Sequence, residues 1–141
     1  MKVLLVRHAV AGKRRTWDGD DRLRPLDEHG RKQAERLADV LDPYAVERIC
    51  SSPYVRCRET VEPLARRLGI AIEDRNELAE GAGKGSALAL AEEIGSITAV
   101  LCTHGDVVVD LLGEESEKGS TWVLEIMDSR VSRREYLPPR A

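Results

Sequence analysis

The amino-acid sequence predicts an α/β fold, a three-layer α/β/α sandwich in which helices flank a mainly parallel central sheet. Strand-like and helix-like patterns alternate along most of the chain, as a parallel sheet requires. The strand-like segments are short apolar runs, which suits strands that are covered on both faces. Phe is absent and aromatic residues make up 4% of the chain, so Leu, Val, Ile and Ala must form the core. A length of 141 residues predicts a single domain, 1–141.

The first half of the chain is predicted to contain two strands, each followed by a helix. The apolar run Lys2–Arg7 predicts a buried strand, and a polar loop follows it from about residue 11 to residue 28. A helix is then indicated by apolar residues at helical spacing, which are Ala34, Leu37, Ala38 and Leu41. Asp42-Pro43 ends this helix, and residues 47–51 form the second strand.

The apolar face of the second helix consists of Val61, Leu64, Ala65 and Leu68. Gly69 stops this helix, and Pro63 predicts that it starts late or is kinked.

The second half of the chain continues the alternation and ends in a hairpin. Residues 70–73 form a third strand, and 81–85 form a flexible connector. We expect Ser86 to cap a helix that ends at Ile94. A strand over 97–103 and a helix over 106–112, stopped by Gly113, come next. Thr121–Met127 and 131–137 form a hairpin around Asp128-Ser129-Arg130.

Charge and cysteine content exclude several classes of protein. The net charge of -3 gives no broad basic surface for nucleic acid, so no nucleic-acid partner is expected. The basic cluster Lys13-Arg14-Arg15 is more typical of a solvated loop than of a binding patch. We expect neither a membrane segment nor a signal peptide, because no apolar run approaches the roughly 18–20 residues of a membrane span. An odd number of cysteines, Cys50, Cys57 and Cys102, predicts a reduced, cytoplasmic protein with structural thiols.

Histidines follow two of the predicted strands directly, at the edge where parallel sheets bind ligands. Arg7-His8 ends the first strand, and His104-Gly105 ends the strand over 97–103, while Arg56 follows the second strand. A single histidine in such a place is more often structural, but a pair accompanied by arginines favours an anion site over a metal site. Neighbouring cations lower the pKa of an imidazole, and a neutral imidazole can attack phosphorus. Such an attack breaks the bond from phosphorus to an oxygen, and that oxygen needs a proton donor. These residues alone do not show one.

Four segments together resemble the histidine phosphatase superfamily, which has the phosphoglycerate mutase-like fold. They are Leu5-Val6-Arg7-His8-Ala9, Arg24-Pro25-Leu26-Asp27-Glu28-His29-Gly30 with Gln33-Ala34, Ser51-Ser52-Pro53-Tyr54-Val55-Arg56-Cys57-Arg58-Glu59-Thr60, and Thr103-His104-Gly105. Their order and intervals fit nearly the whole chain. The short length resembles the SixA-type branch. Gly19-Asp20-Asp21 and residues 118–124 resemble the phosphatase domains that are fused behind Nudix hydrolases.

The resemblance implies catalytic and substrate-binding roles for particular residues. His8 is then the nucleophile, and the phosphate pocket is formed by Arg7, Arg56, His104 and Gly105. Glu80, in Leu78-Ala79-Glu80, matches the segment that often carries the acid of this family. Glu77 is the alternative, and a third possibility is that neither glutamate is the acid, since some SixA-type members lack one. The family needs no metal and no cofactor.

The sequence also departs from the pattern of the family. Ala9 replaces the usual Gly, which is acceptable if its φ is negative. The insertions that roof the pocket in mutases are missing, so we expect a minimal cap and an open site. An open site predicts a metal-independent phosphohydrolase rather than a mutase, and we expect its substrate to be a phosphohistidine protein. The alternatives are nucleoside polyphosphates or other small phosphoesters, or a non-catalytic phosphate-binding regulatory module.

Three further residues have competing interpretations. Asp106 is expected to cap the helix that follows it, rather than to act in catalysis. Trp17 follows the first strand and either flanks the pocket or, more commonly for such a residue, packs locally. Trp122 lies in an alternating apolar run and is expected in the core.

Overall fold

The computed structural model describes residues 1–140, in which six strands form one sheet. The strands are β1 (Lys2–Arg7), β2 (Arg48–Ser51), β3 (Ile72–Asp74), β4 (Thr98–Thr103), β5 (Thr121–Met127) and β6 (Arg130–Leu137). Their order in the sheet is β3-β2-β4-β1-β5-β6. The first four of these run parallel to one another, and β5 and β6 add an antiparallel hairpin at one edge. The predicted α/β class with a mainly parallel sheet is confirmed.

Four α-helices cover the two faces of the sheet within the described residues. They are α1 (Glu28–Leu41), α2 (Val55–Leu68), α3 (Ser86–Ile94) and α4 (Gly105–Leu112). None of them is long and apolar enough to cross a membrane. The helices α1 and α2 pack on one face, where Leu4 and Val6 of β1 point. The helices α3 and α4 pack on the other, against Val3 and Leu5 of the same strand. Alternation along one strand therefore builds both cores of the predicted sandwich.

Two details of the helices differ from the sequence expectation. The helix α2 does not start late, because it is continuous from Val55 to Leu68 with Pro63 inside it. Val61 and Leu64, on either side of the proline, are fully buried, and this packing outweighs the hydrogen bond that a proline removes. Ser86 does not cap α3, since Gly85 is the N-cap residue and the Ser86 hydroxyl donates instead to the Glu77 carbonyl at 2.9 Å.

The sheet order brings three strand ends together at one edge. Arg7 pairs with Thr103 in the register of β1 and β4, so His8 and His104 each lie one residue beyond a paired position. The His8 amide donates to the Thr103 carbonyl at 3.0 Å, which extends the ladder past the strand. On the other side of β4, the Ser52 amide donates to the Cys102 carbonyl at 2.9 Å. The loops after β1, β2 and β4 therefore share one surface.

The start of α1 packs against the loop that follows β1. The Asp27 side chain caps the helix by accepting from the Gly30 amide at 2.8 Å. A Cβ atom on Gly30 would lie 1.9 Å from the carbonyl oxygen of Val10, a distance that no side chain can tolerate. The absence of a side chain at Gly30 thus lets the helix approach the loop that leads from His8.

We predict that Gly30→Ala destabilises the protein by about 2–3 kcal/mol, although Ala favours helices, because the backbone must move apart to accommodate the methyl group. Urea unfolding measures the difference. Gly83→Ala is the matched control, since a Cβ there meets no atom within 4 Å. Equal unfolding free energies for the two variants would contradict the prediction.

Candidate active site

His8 is held with one ring nitrogen directed at the backbone and the other free. It is 7% exposed. Its Nδ1 lies 2.8 Å from the Ala9 carbonyl oxygen, so Nδ1 carries the proton that it donates and Nε2 keeps its lone pair. The Ala9 amide in turn donates to Thr60 Oγ1 at 2.9 Å, which fixes this part of the backbone. The tautomer leaves Nε2 as a nucleophile.

Ala9 accommodates its methyl group without strain. Its φ lies outside the positive range, and its side chain is fully buried in a small cluster with Leu26 and Ala34. The replacement of the usual Gly therefore fits the local backbone, as the sequence argument required.

The environment of His8 keeps its imidazole neutral. Burial lowers the pKa of His8 to about 3. The hydrogen bond to Ala9 opposes this shift, while His104, Arg56 and Arg7 add to it through their charges. At neutral pH Nε2 therefore carries no proton that must be removed before it can attack an electrophile.

His104 faces His8 across the cavity, with ring centroids 5.4 Å apart. It is 2% exposed, and its Nε2 lies 2.8 Å from Ser52 Oγ. In the tautomer in which the Ser52 hydroxyl donates to Nε2, His104 Nδ1 carries a proton. This Nδ1 is buried and has no hydrogen-bond partner among residues 1–140. In this tautomer Nδ1 is a donor without an acceptor, and Ser52 orients the ring.

Arg7 lies over the start of α4, and this explains the glycine after His104. A Cβ atom on Gly105 would lie 2.9 Å from Arg7 Cζ, so any side chain would displace the guanidinium. Arg7 Nη1 donates to the Ser116 carbonyl, while Arg7 Nε is buried without a partner in the described part of the chain.

Arg56 is the most buried charged residue of the site, at 1% exposure. Its Nη1 donates to the Asp21 carbonyl at 2.9 Å and its Nη2 to Asp21 Oδ2 at 3.1 Å. Its Nε is unpartnered within residues 1–140, like Arg7 Nε and His104 Nδ1. An unpaired buried donor costs about 1–3 kcal/mol, and more when it is charged, unless an acceptor arrives. Three such donors beside one neutral imidazole indicate a pocket for an anion.

Asp21 connects the guanidinium groups around this pocket. Besides Arg56, it contacts Arg24 Nε at 2.9 Å and Arg14 Nε at 3.5 Å. Partial burial opposes ionisation of Asp21, but the hydrogen bond from Arg24 and the surrounding guanidinium charges outweigh it, and the pKa of Asp21 is lowered. Asp21 thus stays charged and orients the guanidinium of Arg56.

These residues border an open cavity of about 860 Å³. Its cationic lining consists of Arg7, Lys13, Arg14, Arg24, Arg56 and Lys118, and its acidic lining of Asp27, Glu80, Asp106 and Glu115. Burial, together with the charges of Arg7, Arg24 and Arg56, lowers the pKa of Lys118. No group of His, Cys, Asp and Glu within residues 1–140 is arranged to hold a metal ion.

The two candidate acids lie in different surroundings. Glu80 lines the cavity, where both of its oxygens accept from Arg14 Nη2, at 3.1 and 2.9 Å. Glu77 lies outside the cavity lining and pairs with Arg75 at 2.8 Å. Of the two, only Glu80 is in a position to reach a substrate in the cavity.

Two hydrogen bonds fix the loop that carries Glu80. Thr103 Oγ1 donates to the Leu78 carbonyl at 2.6 Å, and the Gly81 amide donates to Asp106 Oδ2 at 2.8 Å. The expectation that Asp106 caps its own helix is therefore wrong. His104 is the N-cap of α4, so Asp106 lies in the first turn and its carboxylate is free to hold the Glu80 loop.

Other sequence interpretations have mixed outcomes. Lys13 and Arg14 line the cavity, so the basic cluster is more than a solvated loop, although Arg15 is exposed and outside the lining. Trp17 also lies outside the lining, and its indole donates to the Asp20 carbonyl at 2.9 Å. Trp122 is 8% exposed and belongs to the core, as expected.

Sequence reasoning assigned no role to Asp21, Arg24, Ser52 or Lys118, all of which complete the site. All four lie within the quoted family-like segments, which was the available signal. Their roles depend on contacts between residues that are distant in sequence, such as Ser52 and His104, which are 52 residues apart, and these contacts appear only in the folded chain.

Comparison with solved structures shows the same fold in other proteins. The protein histidine phosphatase SixA complexed with tungstate superposes with a TM-score of 0.83 at 21% identity, covering 98% of this chain and 97% of that one. YhfR of Bacillus stearothermophilus gives a TM-score of 0.75 at 19% identity, covering 92% of this chain and 93% of that one.

Comparison of sequences adds a nearer relative and a family. The 8-oxo-(d)GTP phosphatase of Mycolicibacterium smegmatis is 36% identical over 154 aligned positions, which cover 97% of this chain and 48% of that protein. The chain spans about half the length of this curated relative. The model of the Histidine phosphatase superfamily (branch 1) matches residues 3–99, which include His8 and Arg56. With the fold, the paired histidines and this match in agreement, the chain belongs to the histidine phosphatase superfamily.

Proposed function

We propose that this protein is a phosphohydrolase that works through a phosphohistidine intermediate on His8. The observation that carries the proposal is the set of three unpartnered buried donors, Arg7 Nε, Arg56 Nε and His104 Nδ1, around a neutral imidazole. A phosphoryl group supplies acceptors for all of these donors. Because protein cations provide the positive charge, the reaction needs no metal ion.

In the first step, the lone pair of His8 Nε2 attacks phosphorus and an N–P bond forms. The P–O bond to the leaving group breaks, and its electron pair stays on the leaving oxygen. Arg7, Arg56 and His104 stabilise the charge on the equatorial oxygens, while the Ala9 carbonyl holds the Nδ1 proton. We assign Glu80 as the group that can protonate a poor leaving oxygen once its contact with Arg14 is released.

In the second step, water attacks phosphorus and the N–P electron pair returns to His8 Nε2. One proton of the water passes to a carboxylate or to solvent, and inorganic phosphate leaves. The open cavity gives water direct access to the intermediate, which favours hydrolysis over transfer to a second substrate.

The lining of the cavity favours a substrate with more than one phosphate. Arg7, Arg56 and His104 suffice for one phosphoryl group, yet Arg14, Arg24 and Lys118 extend the positive surface beyond it. We therefore propose the terminal phosphate of a nucleoside polyphosphate as substrate, as the name of the relative from M. smegmatis also suggests. A phosphohistidine on a protein is the second candidate, because an open cavity admits a protruding side chain.

A side-by-side screen tests the substrate. We expect nucleoside di- and triphosphates, with guanine and 8-oxoguanine bases, to give a higher kcat/KM than sugar phosphates or a phosphohistidine phosphocarrier protein. Faster dephosphorylation of the phosphocarrier would select the second candidate. Binding of phosphate or vanadate with no turnover of any substrate would show a non-catalytic regulatory module.

We predict that His8→Ala lowers turnover by about 1000-fold or more, since removal of a nucleophile leaves only binding and electrostatics. Quenching the wild-type reaction with labelled substrate in alkaline detergent should trap phosphate on the protein that is stable in base and released by acid. His29→Ala is the matched control, because this third histidine is exposed on α1 and outside the cavity lining. Full activity in the His8 variant would refute the proposed mechanism.

The low pKa of His8 also predicts how stability depends on pH. The folded protein keeps His8 neutral down to a pKa of about 3, whereas an unfolded histidine binds a proton below about pH 6.5. Stability from this group is therefore complete above about pH 6.5 and is lost as pH falls toward about 3. Between about pH 7.5 and about pH 5.5, the wild type should lose about 1.4 kcal/mol more than His8→Gln in urea unfolding. Equal losses in the two proteins would show that His8 is protonated in the folded state.

A further inference from the structure

Arg14 stands at the mouth of the cavity with its guanidinium on Glu80. It begins the short turn Arg14–Thr16, and its side chain is 62% exposed. Arg14 Nη2 donates to both oxygens of Glu80, at 3.1 and 2.9 Å, and Arg14 Nε lies 3.5 Å from Asp21 Oδ1. The contact joins the loop after β1 to the loop after β3, which are 66 residues apart.

This contact changes what Glu80 can do. While both of its oxygens accept from the guanidinium of Arg14, the carboxylate of Glu80 has neither oxygen free to contact a leaving oxygen. Arg56 Nη2 lies 3.6 Å from Glu80 Oε1 and adds a second positive charge. In the arrangement observed, the cavity therefore offers no acid to an alkoxide leaving group from Glu80.

The same contact keeps a cation ready beside the phosphate pocket. The carboxylates of Glu80 and Asp21 both lie between the guanidinium of Arg14 and that of Arg56, so the two cations are close neighbours. A second phosphate on a substrate held by Arg56 would reach this position and compete with Glu80 for Arg14. Phosphate carries more charge and more acceptor atoms than a carboxylate, so it has the advantage in this competition.

We propose that Arg14 is a specificity-determining residue, which exchanges Glu80 for the second phosphate of a phosphoanhydride and so disfavours alkyl phosphate monoesters. The proposal rests on the phospho-His8 mechanism. When His8 Nε2 bonds to phosphorus and the P–O bond breaks, the electron pair stays on the leaving oxygen. In an anhydride that oxygen belongs to a phosphate, whose charge Arg14 neutralises without a proton. In an alkyl monoester it becomes an alkoxide, which needs a proton donor, and Glu80 cannot contact it while Arg14 engages both carboxylate oxygens.

Arg14→Ala tests this exchange with a nucleoside 5′-diphosphate and the matching 5′-monophosphate. Loss of the guanidinium should lower kcat/KM for the diphosphate about 10- to 100-fold, the range for a lost charged hydrogen bond. The same variant should raise kcat/KM for the monophosphate about tenfold, because Glu80 is free to act as an acid. Opposite changes for two substrates are not produced by a general loss of structure.

Three further variants isolate the effect. Arg15→Ala, next to Arg14 but exposed and outside the cavity lining, should change neither rate. Arg14→Ala combined with Glu80→Gln should lose the gain on the monophosphate and keep the loss on the diphosphate. Arg14→Lys should retain part of the diphosphate rate, since a lysine keeps the charge but lacks the two-pronged donor.

Equal losses on both substrates, no change on either, or a wild type that turns over neither nucleotide would overturn the proposal for Arg14. Trapping of the phosphoenzyme separates this failure from failure of the mechanism. If wild type and Arg14→Ala both form phosphohistidine but their rates change in parallel, only the role of Arg14 is refuted. If no substrate of the screen yields phosphohistidine in the wild type, the mechanism itself fails.

Discussion

The structure depends on a group of buried positive donors that the protein itself does not fully pair. Burying a guanidinium as deeply as Arg56 costs several kcal/mol unless an opposite charge accompanies it. Asp21 supplies that charge to the two terminal nitrogens of Arg56 and leaves Arg56 Nε without a partner among the described residues. Burial, with the nearby charges of Arg56 and Arg7 adding to it, holds His8 in its neutral form. Burial and positive charge together thus create the demand for an anion and prepare the nucleophile of the proposed mechanism.

The fold meets this constraint through the strand order of the sheet. Adjacent parallel strands β1 and β4 end at the same level, so the two histidines face each other without any long loop to carry them. Ser52, after β2, then orients His104 from the neighbouring strand end. Gly105 has no side chain, so Arg7 can cross the start of α4. Each partner comes from a position next to a strand end, where the backbone is rigid and its placement is accurate.

The sequence predicted those features that depend on local pattern. The strand β1 has its predicted bounds, and both histidines were expected at the sheet edge, because a short apolar run and the residue after it are visible in one segment. Pro63 does not delay the start of α2 and Ser86 does not cap α3, since tertiary packing overrides a local helix signal and a serine has other partners than its own helix. Asp21 and Lys118 were missed for a different reason. Their roles arise from charges that are remote in sequence, and no spacing rule reports such contacts.

The absence of a large insertion above the cavity places selectivity on a few side chains. In the described chain, the walls come from the loop after β1, with Arg14 and Arg24, and from the loop that carries Glu80. Asp21 binds both of these arginines and Arg56, so the phosphate pocket and the wall are parts of one charged network. A change in any member alters the charge that the others experience, because opposite charges at such distances are coupled. In the proposed mechanism, a small open site can therefore discriminate between leaving groups without a lid, if the charge of the substrate determines which ion pairs of the network remain intact.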